Sequence, residues 1–309
     1  MKTAAIIVTF NRLEKLKKTL SCYDRIRGGI DYLIIVNNHS TDGTEDFLNE
    51  WAGDKTRYNK VVVNLEDNLG GSGGFYYGCK KALEFPVDWI LLADDDAYPD
   101  KRLLIEFREY LSDNNTDSIS AVCSSVYRID DSIDYGHRKI LKYHFGIRPQ
   151  LIPSCQSDYN KPFFEIDLFS YVGVFFKVET LRKAGLCIPD LFIYYDDMEH
   201  SLRIGKTGHI VCVPSMKFVH DDGYGIVKSQ NGIIMSWRDY YDIRNKIYVF
   251  LKHKPTVGMF WTLSRLCMCY IKFPFNLRCQ KLYLTAICHG VKGHLGKHPT
   301  YKPGFVIEK

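Results

Sequence analysis

Four apolar runs, set apart by helix-like stretches and polar turns, fill the first hundred residues and leave few folds open to this chain. They are AAIIVTF (Ala4 to Phe10), DYLIIVNN (Asp31 to Asn38), KVVVNL (Lys60 to Leu65) and DWILLADDD (Asp88 to Asp96). Each is continuous rather than alternating, the pattern of strands covered on both faces. Between them Leu13, Leu16 and Leu20 recur at helical spacing. A second helix is expected around Thr44 to Trp51, and a Gly-rich segment opens a third. Strand and helix in alternation imply a mainly parallel sheet with right-handed crossovers, an α/β fold. The 309 residues, 46% of them apolar, suffice for a sizeable core. A charged fraction of 25% excludes disorder and collagen-like repeats. No apolar run reaches the roughly 18 residues of a simple membrane span. The opening MKTAAIIVTFNR reads as a buried strand, not a signal peptide. The ten cysteines form no CxxC pair, so reduced cytosolic thiols are expected.

The rest of the chain is less uniform. Residues 127–165 read as an irregular excursion. FFEIDLFSYVGVFFKVETLRKAGL restores two strands and a helix, and the segment 190–220 is acidic, then helical, then a strand. From about Trp237 the pattern is helical, and the tail HLGKHPTYKPGFVIEK looks irregular. Charge divides the chain: from Ile226 onward 14 Lys/Arg face 3 Asp/Glu, whereas the preceding residues carry 27 against 33. An acidic unit at 1–225 and a basic, aromatic helical unit at 226–309 are therefore expected, the second suited either to an anionic membrane surface or to packing on the first with its lysines on a solvated face. No nucleic-acid partner is expected.

Ligands of α/β sheets collect beyond the carboxyl ends of the strands. Phe10-Asn11-Arg12, Asn37-Asn38, Asp67-Asn68-Leu69-Gly70-Gly71 and Asp94-Asp95-Asp96 all fall at such ends. Asp94 and Asp96, two residues apart on an extended segment, project the same way. Converging carboxylates suit a hard cation such as Mg²⁺ or Mn²⁺; the structural alternative is an acidic turn before the helix near Asp100. NLGGSGG suits a phosphate cradle or a flexible turn, and no GK[ST] follows to make it a Walker motif. In YYDDMEHSLR one acid caps a helix, and the remaining acids leave room for a general base. His220 ends a short strand 23 residues after Asp197 and is a candidate third metal ligand.

IIVTFNR, VNNHSTDGT, NLGGSGGF, LLADDDAYP, YYDDMEHSLR and VCVPSMKFVH, in this order across residues 3–225, resemble the family 2 glycosyltransferases of the GT-A fold. The combination is most similar to bacterial galactofuranosyltransferases, with rhamnosyltransferases second. The resemblance implies a Rossmann-like nucleotide-sugar-binding domain and inverting transfer from UDP-galactofuranose, or from dTDP-rhamnose, to a glycan or lipid-linked glycan. It implies Asp94, Asp96 and His220 as ligands of Mn²⁺ or Mg²⁺, and Asp197 as catalytic base. Phe10, Arg12, Asn38, Asn68, Gly70, Gly71 and Asp95 would bind the donor, and Tyr195 and Glu199 the acceptor. Asn38 stands where many members carry an acid, and Tyr195 where the closest carry Trp. A cytoplasmic enzyme, peripheral on the inner face of the membrane, is expected.

Other classes fit less well. A nucleotidyltransferase would carry a basic Gly-rich loop after the first strand, where FNRLEK stands. A processive synthase would need several membrane spans and a QxxRW-like motif. A non-catalytic sugar-binding protein would have no use for Asp94, Asp96, Asp197 and His220 together.

Overall fold

The computed structural model describes residues 1–221 and 233–308, so the expected boundary at 225/226 lies outside the described residues. In chain order the first half runs β1 (Thr3–Thr9), α1 (Leu13–Asp24), β2 (Tyr32–Asn37), α2 (Thr44–Gly53), β3 (Asn59–Asn64), α3 (Gly70–Ala82), β4 (Trp89–Asp94), β5 (Ala97–Pro99), α4 (Leu103–Asp113) and β6 (Ile119–Tyr127). Then come β7 (Arg138–His144), β8 (Arg148–Pro153), α5 (Gln156–Tyr159), β9 (Phe164–Ile166), β10 (Leu168–Phe169), β11 (Val174–Lys177), α6 (Val178–Ala184), α7 (Asp196–Ile204) and β12 (His209–His220). The chain closes with β13 (Ile233–Ser236), α8 (Trp237–His253), α9 (Pro255–Lys272), α10 (Leu277–Lys292) and β14 (Val306–Glu308).

The main sheet has the order β3-β2-β1-β4-β11-β6-β12-β5, with β9 added on β12. β3, β2, β1 and β4 are parallel. β11 enters antiparallel between β4 and β6, and β6 and β12 run parallel again. Alternate residues of β1 serve opposite cores. Ala5 and Ile7 pack with Leu16, Leu20 and Leu48 of α1 and α2, while Ala4, Ile6 and Val8 pack with Phe75 and Cys79 of α3. Each of the fully buried Leu and Ile side chains among these contributes roughly 1.5–3 kcal/mol. The first two crossovers thus lie on one face and the third on the other. That change of side falls between β1 and β4, where a crevice opens at the strand ends.

Residues 127–165 are more ordered than their sequence suggests. β7 and β8 form an antiparallel hairpin, paired from Lys139 opposite Pro153 to His144 opposite Arg148, and β10 completes a three-stranded sheet. Pro149 and Pro153 sit on the edge strand β8, where a missing N–H is tolerated. The tail is not wholly irregular either, since β14 pairs with β13. Helices α8 to α10 enclose a third core around Tyr240, Ile247, Cys269 and Leu282, which also takes in Phe192. All ten cysteines are free thiols.

Candidate active site

A cleft of about 610 Å³ opens at the ends of β1, β2 and β4. Phe10, Arg12, Asn38, Asn68, Gly70, Gly71, Asp94, Asp95, Tyr195, Asp197 and His220, eleven of the thirteen residues singled out from sequence, line it. Asp96 lies just beneath, buried. One ligand atom each from Asp94, Asp96 and His220 fall within 4.8 Å of one another.

The acidic turn is held from below. Thr9 Oγ1 donates to Asp95 Oδ2 at 2.7 Å, and Thr19 Oγ1 donates to the Asp95 carbonyl at 2.6 Å. Arg12 Nη1 reaches Asp96 Oδ2 at 2.6 Å and Asp95 Oδ1 at 3.2 Å. Burial pushes the Asp94 carboxyl up to about 7, reinforced by the charge of Asp96. Burial likewise lifts Asp95, to about 6, against the pull of Arg12. Burial also opposes the charge on Asp96, but His220, Arg12 and Lys15 outweigh it and hold that carboxyl below its usual range.

These observations test the site for a divalent ion. Asp96 Oδ1 is buried, and His220 Nε2 stands 3.3 Å from it. Two carboxylates and an imidazole around one point form a donor set that suits a divalent cation. The residues present fit a divalent cation.

The Gly-rich segment works by close packing. Cβ atoms on Gly74 and Gly78 would stand 2.4 Å from Val8 Cγ1 and Ile6 Cγ2, so α3 lies directly against β1. Gly70 has φ +72°, and its Cβ would stand 1.9 Å from the Phe192 carbonyl oxygen. Gly70→Ala is therefore expected to lower stability by about 3 kcal/mol, read as a lower urea midpoint; an unchanged midpoint contradicts this geometry. Asn38 lines the cleft, but its amide serves the loop. Its Nδ2 donates to the Gly70 carbonyl at 2.9 Å and to Asn68 Oδ1 at 3.3 Å, while its Oδ1 accepts from Leu69 N at 2.9 Å.

Asp197 enters from the opposite wall, in the first turn of α7. The approach is strained, since Phe192, Tyr194 and Tyr195 all have φ near +65° to +69°. Left-handed backbone at bulky residues costs of order 1–3 kcal/mol each and needs outside support. Buried Asn245 of α8 provides it, donating to the carbonyls of Leu191, Ile193 and Tyr194 at 2.8–2.9 Å. Arg244 donates to the carbonyls of Leu191 at 3.0 Å and Gly296 at 2.6 Å. Both Asp196 and Asp197 line the cleft. Burial and the neighbouring Asp197 charge push Asp196 up to about 8. Burial also raises Asp197, against the Met198 N–H that donates to its Oδ1 at 2.6 Å.

Glu199 does not reach the cleft. Its carboxylate is wholly buried and accepts from Arg203, Lys252 and His253 at 2.8–3.0 Å, tying α7 to the end of α8. Tyr195 and Asp197 instead border a second pocket of about 250 Å³, walled by Lys139, Leu151 and Asp242. The cleft also takes in Tyr194, Trp237, Arg238 and Pro303. The only sequence signal for these is an aromatic–basic pair at the start of a helix.

The family model described as Glycosyl transferase family 2 matches residues 4–181. A curated relative, the galactofuranosyltransferase GlfT1 of Mycolicibacterium smegmatis, is 27% identical over 213 residues, 66% of this chain and 65% of its own. The chain thus spans just under two thirds of the length of that relative. The solved structure of S. aureus TarS 1-349 in complex with UDP-GlcNAc aligns with a TM-score of 0.61 at 14% identity, over 94% of this chain and 82% of that one. GalNAc-T7 with UDP, GalNAc and Mn²⁺ aligns with a TM-score of 0.64 at 13% identity, over 94% and 56%. At such identities the structures establish a shared fold.

Proposed function

We propose, for a chain that belongs to glycosyl transferase family 2, a reaction that moves galactofuranose from UDP-galactofuranose to a hydroxyl of a growing surface glycan. The observation that supports it most is the meeting, in one cleft, of Asp94, Asp96 and His220 with Asp197 and the Gly70 loop. The similarity to GlfT1 supports the choice of sugar.

In this reading Asp197 receives the proton of the acceptor hydroxyl as the hydroxyl oxygen bonds the anomeric carbon. The bond from that carbon to the diphosphate breaks, and UDP leaves with the electron pair. Attack from the face opposite the leaving group inverts the anomeric centre. Asp94, Asp96 and His220 would hold a divalent ion that neutralises charge on the diphosphate. Phe10 and Arg12 border the nucleoside, and Asn68, Gly70, Gly71 and Asp95 the ribose and diphosphate. Asn38 shapes the loop beneath them. Tyr195 faces the acceptor in the pocket shared with Asp197, and Glu199 positions α7 from behind. The enzyme works from the cytoplasmic side, at the inner face of the membrane.

UDP release measured with Mn²⁺ and a galactan-type acceptor tests the reading. Turnover of UDP-galactofuranose is expected to exceed that of dTDP-rhamnose and UDP-glucose by more than about tenfold. A preference for dTDP-rhamnose replaces the sugar assignment, and binding without turnover of any donor removes the enzyme reading.

A further inference from the structure

The C-terminal helices carry a surface that the donor cleft does not use. Met259, Leu263, Leu266 and Tyr270, spaced by four, three and four residues, share the outer face of α9 and are exposed. Phe260, Cys267 and Ile271 widen that face, and no charged side chain interrupts it. The opposite face packs inward through Val257, Gly258 and Cys269. At the turn into α10 the apolar surface continues, with Phe275 96% and Leu277 77% exposed. A helix face in water normally carries polar residues, and a contiguous apolar surface of this kind marks an interaction site.

Charge indicates the occupant. Residues 243–307 contain eleven Lys/Arg and no Asp or Glu. Lys272, Arg278 and Lys281 are exposed beside the apolar face. A second copy docked face to face would bring like charges together. An anionic leaflet accepts both the apolar face and the cations. No helix among the described residues is long and apolar enough to cross a membrane. The surface therefore suits a helix lying in the interface plane.

We infer that α9 and the α9–α10 turn dock on an anionic bilayer, inserting the Met259–Ile271 face and Phe275. The docking surface adjoins the pocket beside Asp197. α9 packs on β8, whose Leu151 lines that pocket, and Arg265 Nη2 of α9 stands 3.9 Å from Asp242 Oδ2 on its wall. The turn between β7 and β8 presents Phe145, 88% exposed. A lipid-borne acceptor would thus meet Asp197 at the leaflet, a consequence that rests on the proposed function; the docking itself does not.

Vesicle flotation tests it without any sugar donor. The full chain is expected to float with phosphatidylcholine vesicles containing phosphatidylglycerol, and much less with phosphatidylcholine alone. Leu263→Asp combined with Ile271→Asp is expected to reduce flotation by at least about tenfold. Because both side chains are exposed, the melting temperature and turnover on a water-soluble acceptor should stay at wild-type values. Arg278→Glu with Lys281→Glu should make the remaining binding less dependent on salt. Equal flotation of the Leu263/Ile271 variant, or no flotation of the wild type at low salt, overturns the inference. A wild-type dimer in sedimentation that this variant converts to monomer, with flotation unchanged, assigns the face to a second copy. If the donor assignment fails, flotation is unaffected, so the two readings fail separately.

Discussion

Asp197→Asn is expected to lower sugar transfer by about two to four orders of magnitude, the usual worth of the general base proposed there, and to leave donor affinity nearly unchanged. The amide keeps the shape of the carboxylate and can still accept the Met198 N–H at Oδ1. It cannot take a proton from an attacking hydroxyl. The cluster of Asp94, Asp96 and His220 is untouched by the change, so the melting-temperature increase on adding donor and Mn²⁺ should persist. The pH profile carries the same signature. Because burial raises the Asp197 carboxyl, its ionised, proton-accepting form is lost as pH falls through that raised value. Wild-type turnover therefore declines on the acid side earlier than for an ordinary aspartate, and the variant's residual rate lacks that limb. Near-normal turnover in a folded Asp197→Asn protein moves the role to Asp196, which shares the cleft.

Asp96→Ala produces the second large effect. Asp96 Oδ1 is buried beside His220 Nε2, and Oδ2 pairs with Arg12. The substitution would remove a proposed ligand and one of the two carboxylates that Arg12 Nη1 reaches. Transfer is expected to fall by about three orders of magnitude, ~4 kcal/mol in the barrier. Mn²⁺-dependent donor binding, followed by calorimetry, should disappear. His220→Ala would remove one proposed ligand and leave both carboxylates in place, so a smaller loss is expected. Chelation by EDTA should silence the wild type reversibly, and full activity in EDTA would exclude a metal-dependent site.

The parallel half of the sheet was legible because each strand is buried on both faces and is therefore apolar throughout. The acids and the Gly loop were legible because they punctuate those strands at one edge. The β7–β8 hairpin was not, since it is half-exposed and mixes Lys139, Lys142 and Arg148 with two prolines, a composition that reads as loop. The family resemblance implied an acceptor-side role for Glu199. Its partners Lys252 and His253 are more than 50 residues away in the chain, and nothing local announces them. Arg244 and Asn245 read as polar positions on an amphipathic helix. They are buried because the unpaired carbonyls of a strained segment need donors, a demand visible only once that segment is folded against α8.

That last contact bears on how such chains diversify. The segment before α7 is braced by Asn245 and Arg244, which a helix some fifty residues later in the chain supplies. The C-terminal helices are therefore not expected to exchange freely as a cassette between homologues. A recombinant that inherits its amino-terminal part from this chain and its remainder from a relative is expected to keep most activity where the incoming helix brings donors to the same carbonyls. Crossovers that separate the two halves should be depleted among functional hybrids.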